Sequence, residues 1–332
     1  MAFLFCESLG NKKPEYCYSG CKWCLQESNQ GHMDFQSIAL PTELRHLWAF
    51  SEHFCLLIAG ANIEPFFIYP KQIFKKINLY LCFHNEENML LAIDVGNTRI
   101  KVAVFEKHTF LFQDVFLKEE ASKKIENIFK NFPQITESVF SSVGKLDDNV
   151  IDLLRKASKL NSISSESAFP FRNKYATPKT LGVDRMVLAS GATLLYPKQN
   201  RLIIDAGTCI TYDFVDKNDT YLGGAISPGF RLRYQALHNY TAKLPLLTLE
   251  QPENFIGNST NESIHSGVVN GILNEIDGFI NQYRQQYQDL TVILTGGDTE
   301  FLAKNIKNTI FANSNFLLES LNHIHHYTID ND

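Results

Sequence analysis

Residues 90–105 read Leu-Leu-Ala-Ile-Asp-Val-Gly-Asn-Thr-Arg-Ile-Lys-Val-Ala-Val-Phe. An apolar run, Leu90 to Ile93, reaches a carboxylate at Asp94, turns through Gly96, Asn97 and Thr98, and resumes as a β-rich run from Ile100 to Phe105. Short apolar runs on either side of a Gly/Asn turn predict the two strands of a hairpin. A carboxylate and a glycine at such a turn suit a nucleotide's phosphates. Glycine lets an oxyanion approach backbone N–H groups, Thr98 adds a hydroxyl donor, and Asp94 can reach phosphate only through Mg²⁺ and its waters. Taken alone, the same stretch also reads as an ordinary tight turn.

A second copy separates the two readings. Residues 201–215 read Arg-Leu-Ile-Ile-Asp-Ala-Gly-Thr-Cys-Ile-Thr-Tyr-Asp-Phe-Val, again an apolar strand ending in a carboxylate, Asp205, before Gly207, Thr208 and another β-rich strand. Two such units predict two similar halves facing each other across a cleft.

Composition narrows the classes of function. A chain of 332 residues can bury a substantial core and hold more than one domain. Its formal net charge of −5 argues against nucleic-acid binding as its main business. No run of eighteen apolar residues predicts a transmembrane helix, and the N-terminus lacks a basic segment followed by an apolar one, so a cytoplasmic location is expected.

Cysteines and tryptophans mark a boundary. Cys6, Cys17, Cys21, Cys24, Cys55, Cys82, Trp23 and Trp48 all precede residue 89, and only Cys209 follows it. The expected organisation is an N-terminal extension over 1–88, a first domain over 89–200 and a second over 201–332. Cys17, Cys21 and Cys24 have the Cys-x-x-x-Cys-x-x-Cys spacing of an iron–sulfur ligand set, or of a zinc site with Cys6 as fourth ligand. Against the iron–sulfur reading, only about sixty residues follow the motif before the next domain, too few for the barrel that enzymes with this motif need; against both stands coincidence. A further expectation is that translation begins at Met89, because a strand follows it at once. N-terminal sequencing of the natively expressed protein decides that point.

From Met89 onward strands alternate with helices, which indicates an α/β architecture. Lys118–Lys130 carries Ile125, Ile128 and Phe129 on one face among charges, predicting an amphipathic helix. Ser138–Val143 is expected as a strand and Asn149–Leu160 as a helix. After a loop over 162–178, Gly182 precedes a buried helix whose first turn holds Asp184 and Arg185. Spacing alone leaves Asp184 open to two readings, a functional acid or a charge that favours the helix dipole. Tyr221–Gly229 reads as a strand entering a turn and Phe230–Leu244 as a helix. Residues 260–287 show a helical apolar stripe, and Thr291–Leu294 is a strand leading to Thr295-Gly296-Gly297-Asp298.

Residues 89–332 closely resemble the type III pantothenate kinases of the actin/sugar-kinase/Hsp70 superfamily. The resemblance is carried by Asp94 to Thr98, by Gly182-Val183-Asp184-Arg185 with Tyr175 and Pro178 ahead, and by Asp205 to Thr208. It continues through Gly223 to Gly229, Thr241 to Pro245, Gly257 to Thr260 and Thr295 to Gly297. Single Asp-x-Gly-x-Thr blocks are unspecific, whereas the ordered set is specific.

The resemblance implies two actin-like (ribonuclease H-like) domains flanking a nucleotide cleft. It also implies transfer of the ATP γ-phosphoryl group to pantothenate, the first step of coenzyme A biosynthesis. Asp94, Val95, Gly96, Asn97, Thr98, Arg99, Ile100 and Lys101 would form the first phosphate loop, and Thr208 would contact ATP. Asp184 would be the general base. Tyr175, Gly182, Val183, Asp184, Arg185 and Thr260 would contact pantothenate. Asp205 would help hold a monovalent cation, K⁺ or NH₄⁺, alongside Mg²⁺ with the ATP. A homodimer is implied, part of the pantothenate site coming from across the interface. Val183 departs from the family's more common alanine, Arg99 from a neutral residue, and Cys209 varies the second loop.

Three other readings remain open to test. One is a superfamily kinase acting on another small molecule, which Gly182 to Arg185 with Tyr175 argue against. Another is a non-catalytic nucleotide-binding regulator, disfavoured because every assigned carboxylate is present. The third is a fusion with a metal-binding N-terminal module, which iron or zinc content per chain discriminates.

Overall fold

In the computed structural model the described residues are 88–96, 99–142 and 146–331. The cysteine motif of the N-terminal segment and the loop residues Asn97 and Thr98 lie outside them. The body described below falls within the compact unit Tyr80–Asp332.

The opening stretch forms β1 (Met89–Val95) and β2 (Arg99–Glu106), paired antiparallel. From Leu90 to Val95 every residue of β1 is buried. The cause is its place in the sheet, between antiparallel β2 and parallel β4 (Ile135–Ser142), with both faces covered. β3 (Thr109–Leu117) extends the edge and β5 (Lys159–Ile163) closes the other side, giving the order β3-β2-β1-β4-β5. β3 is rich in apolar residues but mostly exposed, and its run Phe110-Leu111-Phe112 does not alternate with polar residues; the sequence reading passes over it.

Two amphipathic helices cover the outer face. α1 (Ala121–Asn131) buries Ala121, Ile125 and Ile128; α2 (Asp148–Ala157) buries Val150 and Leu154. Asp147 caps α2 by accepting the Asn149 N–H at 2.9 Å. The helix expected over 149–160 ends at Ala157, because Lys159 already pairs with Glu137 in the sheet.

The second half repeats the plan. β7 (Asn200–Ala206) pairs antiparallel with β8 (Cys209–Val215), which pairs with β9 (Thr220–Pro228). β10 (Leu290–Thr295) and β11 (Phe311–Ala312) lie parallel to β7, so the order β9-β8-β7-β10-β11 reproduces that of the first sheet. A short β6 (Arg172–Asn173) joins beside β9. The long helix α5 (Thr260–Gln286) packs its stripe Ile264, Val268, Ile272, Ile276 and Ile280 onto this sheet. Ser259 and Glu262 cap it reciprocally: Ser259 accepts the Glu262 N–H, and the Glu262 carboxylate accepts the Asn258 N–H. α4 (Phe230–Asn239) stops five residues before the predicted end, and α6 (Thr299–Asn305) follows β10.

Between the sheets lie α3 (Val183–Leu195) and α7 (Phe316–Asn331), which touch each other closely. α3 is buried from Arg185 to Thr193, and one core joins Ala92 of β1, Val187 of α3, Ile203 of β7 and Leu321 of α7. α7 packs on β1, β2 and β4, returning the end of the chain to the first sheet. Gly191 makes the helix contact possible, since a Cβ there would overlap Ser320. No described helix is long and apolar enough to cross a membrane.

Candidate active site

Both signature carboxylates sit at the carboxyl end of the first strand of their sheet, Asp94 on β1 and Asp205 on β7. The carboxyl ends of strands in open α/β sheets are where ligands bind. Each hairpin turns tightly just beyond its acid: the Gly96 N–H donates to the Arg99 carbonyl at 3.0 Å, and the Gly207 N–H to the Cys209 carbonyl at 2.9 Å.

Asp94 is buried and Asp205 half-buried. Burial pushes the Asp94 carboxyl up to about 6; Lys101 works against the shift and the Asp184 charge adds to it. Burial likewise pushes Asp205 up to about 7, opposed by Lys101 and reinforced by Asp184, Asp94 and Asp213. Four acids and one lysine from both halves therefore share one field.

At two glycines of the surrounding loops, Gly296 and Gly229, only backbone fits. Gly296 has a φ of +101°, and a Cβ on it would overlap the Ala206 carbonyl and the Asp205 carboxylate. The Ala206 carbonyl accepts the Asp298 N–H at 3.0 Å, tying the turn after β10 to the second hairpin. Gly229 closes on the same loop, its N–H donating to the Thr208 carbonyl at 3.1 Å. The Thr208 side chain is exposed, as is Arg99. Val95 and Ile100 are wholly buried in the outer core of the first sheet, so any nucleotide contact of theirs runs through backbone atoms.

Asp184 stands in the first turn of α3, directly after Gly182. Its Oδ1 accepts the Arg185 N–H at 2.8 Å, and a Cβ on Gly182 would overlap that oxygen. Arg185 is buried, and its guanidinium grips Asp213 of β8 through Nε at 2.8 Å and Nη2 at 2.7 Å. The Tyr221 hydroxyl donates to the same Asp213 oxygen at 2.6 Å. Burial works against the Arg185 charge, but the Asp213 carboxylate more than offsets it and raises the arginine above its ordinary value. Tyr175 lies with its ring centroid 5.7 Å from the Arg185 Cζ, over Gly223, whose φ of +111° favours glycine.

Thr260 is placed elsewhere. It opens α5 on the wall of a groove of about 950 Å³ shared with Arg233, Leu237, Leu244, Ser263 and Val268. Asp213 escapes the sequence reading altogether. Its one signal is a carboxylate within the β-rich run Ile210 to Val215, where no other residue is charged.

Among the described residues no three His, Cys, Asp or Glu side chains form a metal-holding group. What the site offers a divalent ion is the pair Asp94 and Asp205.

The chain is similar to several known proteins. A family model described as type III pantothenate kinase matches residues 90–282. A type III pantothenate kinase of Flavobacterium johnsoniae is 62% identical over 244 residues, 74% of this chain and 100% of that protein. One from Flavobacterium psychrophilum is 58% identical over 239 residues, 72% of this chain and 99% of its own. A solved structure of a conserved Baf family protein from Campylobacter jejuni aligns with a TM-score of 0.48 and 20% identity, covering 72% of this chain and 99% of that one.

Proposed function

This chain belongs to the type III pantothenate kinase family, and from that premise we propose how its own residues carry the reaction. It is a kinase that uses ATP to phosphorylate pantothenate, in the biosynthesis of coenzyme A. The observation carrying the assignment of roles is the shared field of Asp94, Asp205, Asp184 and Lys101 across the two hairpins.

Phosphoryl transfer leaves the protein little covalent chemistry, so positioning and charge neutralisation do most of the catalysis. Residues 94–101 and Thr208 cradle the triphosphate with backbone donors, Lys101 and the Thr208 hydroxyl. Asp94 and Asp205 fit Mg²⁺. Burial and mutual repulsion oppose their ionisation, which a cation reverses, and two carboxylates leave positions for phosphate and water, as that ion prefers. When bound, the ion neutralises charge on the transferring phosphoryl group. Asp205 also helps hold a monovalent cation, K⁺ or NH₄⁺.

Asp184 is the general base. With Oδ1 tied to the Arg185 N–H, Oδ2 is left to accept the acceptor's hydroxyl proton as the new phosphorus–oxygen bond forms. Gly182 and Val183 line the approach, while Tyr175 walls it and Arg185 offers a planar fork to pantothenate's carboxylate, a match lysine does less well.

Thr260 serves the pantothenate site across a homodimer interface. Supporting that arrangement, its groove lies near side chains that a lone chain leaves in water: Tyr240 is 89% exposed, Phe255 78% and Ile256 79%. Light scattering tests it, a monomer at micromolar concentration overturning it.

An ADP-release assay with pantothenate, with and without K⁺ or NH₄⁺, tests the reaction. Expected are cation-dependent turnover for the native chain and a loss of about 10²–10⁴-fold in kcat for Asp184→Asn. Undiminished turnover by the variant overturns the role given to Asp184.

A further inference from the structure

Arg185 is held in a way that its assigned contact with the acceptor does not by itself require. Asp213 lies in the core with no exposed surface; its Oδ1 accepts hydrogen bonds from Arg185 Nε and the Tyr221 hydroxyl, while Arg185 Nη2 stands 2.7 Å from it as an ion-pair contact. Tyr175 covers the guanidinium, and Tyr221 packs near Tyr175 with centroids 6.1 Å apart. One edge of the guanidinium thereby faces Asp213, and with Nη2 itself buried, Nη1 is left as the nitrogen able to meet a ligand. The side chain keeps 8% of its surface open.

A buried ion pair is a poor device for stability, because well-packed apolar residues of the same volume do as well or better. Orientation is what such a pair supplies. An arginine carries about 2 kcal/mol of rotamer entropy, and a fork held in one place before binding loses less of it on the substrate.

We propose that Asp213, backed by Tyr221, is a positioning residue that presents Arg185 to the acceptor's carboxylate and so sets the enzyme's preference for a carboxylate-bearing acceptor over an uncharged one. The proposal rests on Arg185 as the carboxylate's partner.

The test compares pantothenate with its uncharged primary amide in steady-state kinetics of the full chain, for the native protein and for Asp213→Asn, Tyr221→Phe and Arg185→Gln. The native enzyme is expected to favour the acid by about 10–100-fold in kcat/KM, the worth of one charge-assisted contact. Asp213→Asn is expected to cut that preference roughly tenfold through the KM for pantothenate, with the KM for ATP unchanged and kcat within about threefold. Tyr221→Phe cuts it by roughly threefold, the scale of one hydrogen bond. A merely structural role lowers turnover of acid and amide alike. Loss of the preference in Arg185→Gln together with its retention in Asp213→Asn and Tyr221→Phe overturns the proposal and leaves Arg185 as reader. Retention of the preference in Arg185→Gln overturns the assignment of Arg185 itself. Should Asp213→Asn fail to melt as a folded protein, Tyr221→Phe decides alone, an unchanged preference counting against the proposal.

Discussion

Lys101 stands directly opposite Asp94 across the β1–β2 hairpin, whereas the place opposite Asp205 in the second hairpin is taken by Thr211. The two halves thus share a backbone plan but not a charge pattern. Opposed residues on one face of an antiparallel pair are close enough to interact, and the single lysine lowers the proton affinity of both acids.

Replacing that lysine is therefore expected to act through the acids. In Lys101→Met the carboxyls of Asp94 and Asp205 rise further, so the acid limb of kcat/KM for ATP moves to higher pH. A move of roughly half a unit or more is within what one lost opposite charge supplies. A pH–rate profile checks this, and an unmoved limb removes Lys101 from the field.

Asp205 couples function to stability with opposite signs. Burial pushes its carboxyl up to about 7 in the fold, from an ordinary value of 3.8. Between these values the folded chain binds more protons than the unfolded one, so this residue's effect on stability becomes increasingly unfavourable as pH rises from about 4 to about 7. Without nucleotide or metal, Asp205→Asn is expected to melt higher than the native chain at pH 8, by about 2–4 °C per kcal/mol recovered, with the gap closing towards pH 4. The same variant is expected to lose kinase activity. Thermal melts at both pH values read the first part and the ADP assay the second.

Gly296→Ala places a methyl group against the Ala206 carbonyl and the Asp205 carboxylate, on a backbone at φ +101°. The strain costs about 1–3 kcal/mol. Because the displaced atoms belong to the second hairpin, KM for ATP is expected to rise as well. A variant that melts normally and binds ATP normally contradicts the close approach.

Gly191→Val tests the helix contact between the sheets. The added side chain meets Ser320 of α7, and overpacking of this kind costs about 1–3 kcal/mol. Denaturant titration is expected to show a lower midpoint with an unchanged slope.

The two acid-bearing hairpins are legible in the sequence because a strand, a tight turn and its returning strand are local, and residue type alone decides them. Asp184 at the head of α3 is legible for the same reason, Gly182 and the apolar run marking where the helix begins. The edge strand β3 is not, since its apolar residues run together at Phe110-Leu111-Phe112 instead of alternating with polar ones. Nor is Asp213: its meaning comes from Arg185, 28 residues earlier in the chain, and from a Tyr221 hydroxyl that only the pairing of β8 with β9 brings near.

Sequence alone determined the repeated hairpins, the α/β alternation, the acids at the ends of the first strands and the family pattern, all of which live in short-range spacing. Tertiary structure decided which acids share a field, that Thr260 opens a groove of its own, and that α7 returns to the first sheet, where Asn322 donates to the Lys107 carbonyl 215 residues away. Those outcomes depend on packing two sheets around α3 and α7, and the free energy of that burial belongs to no single segment.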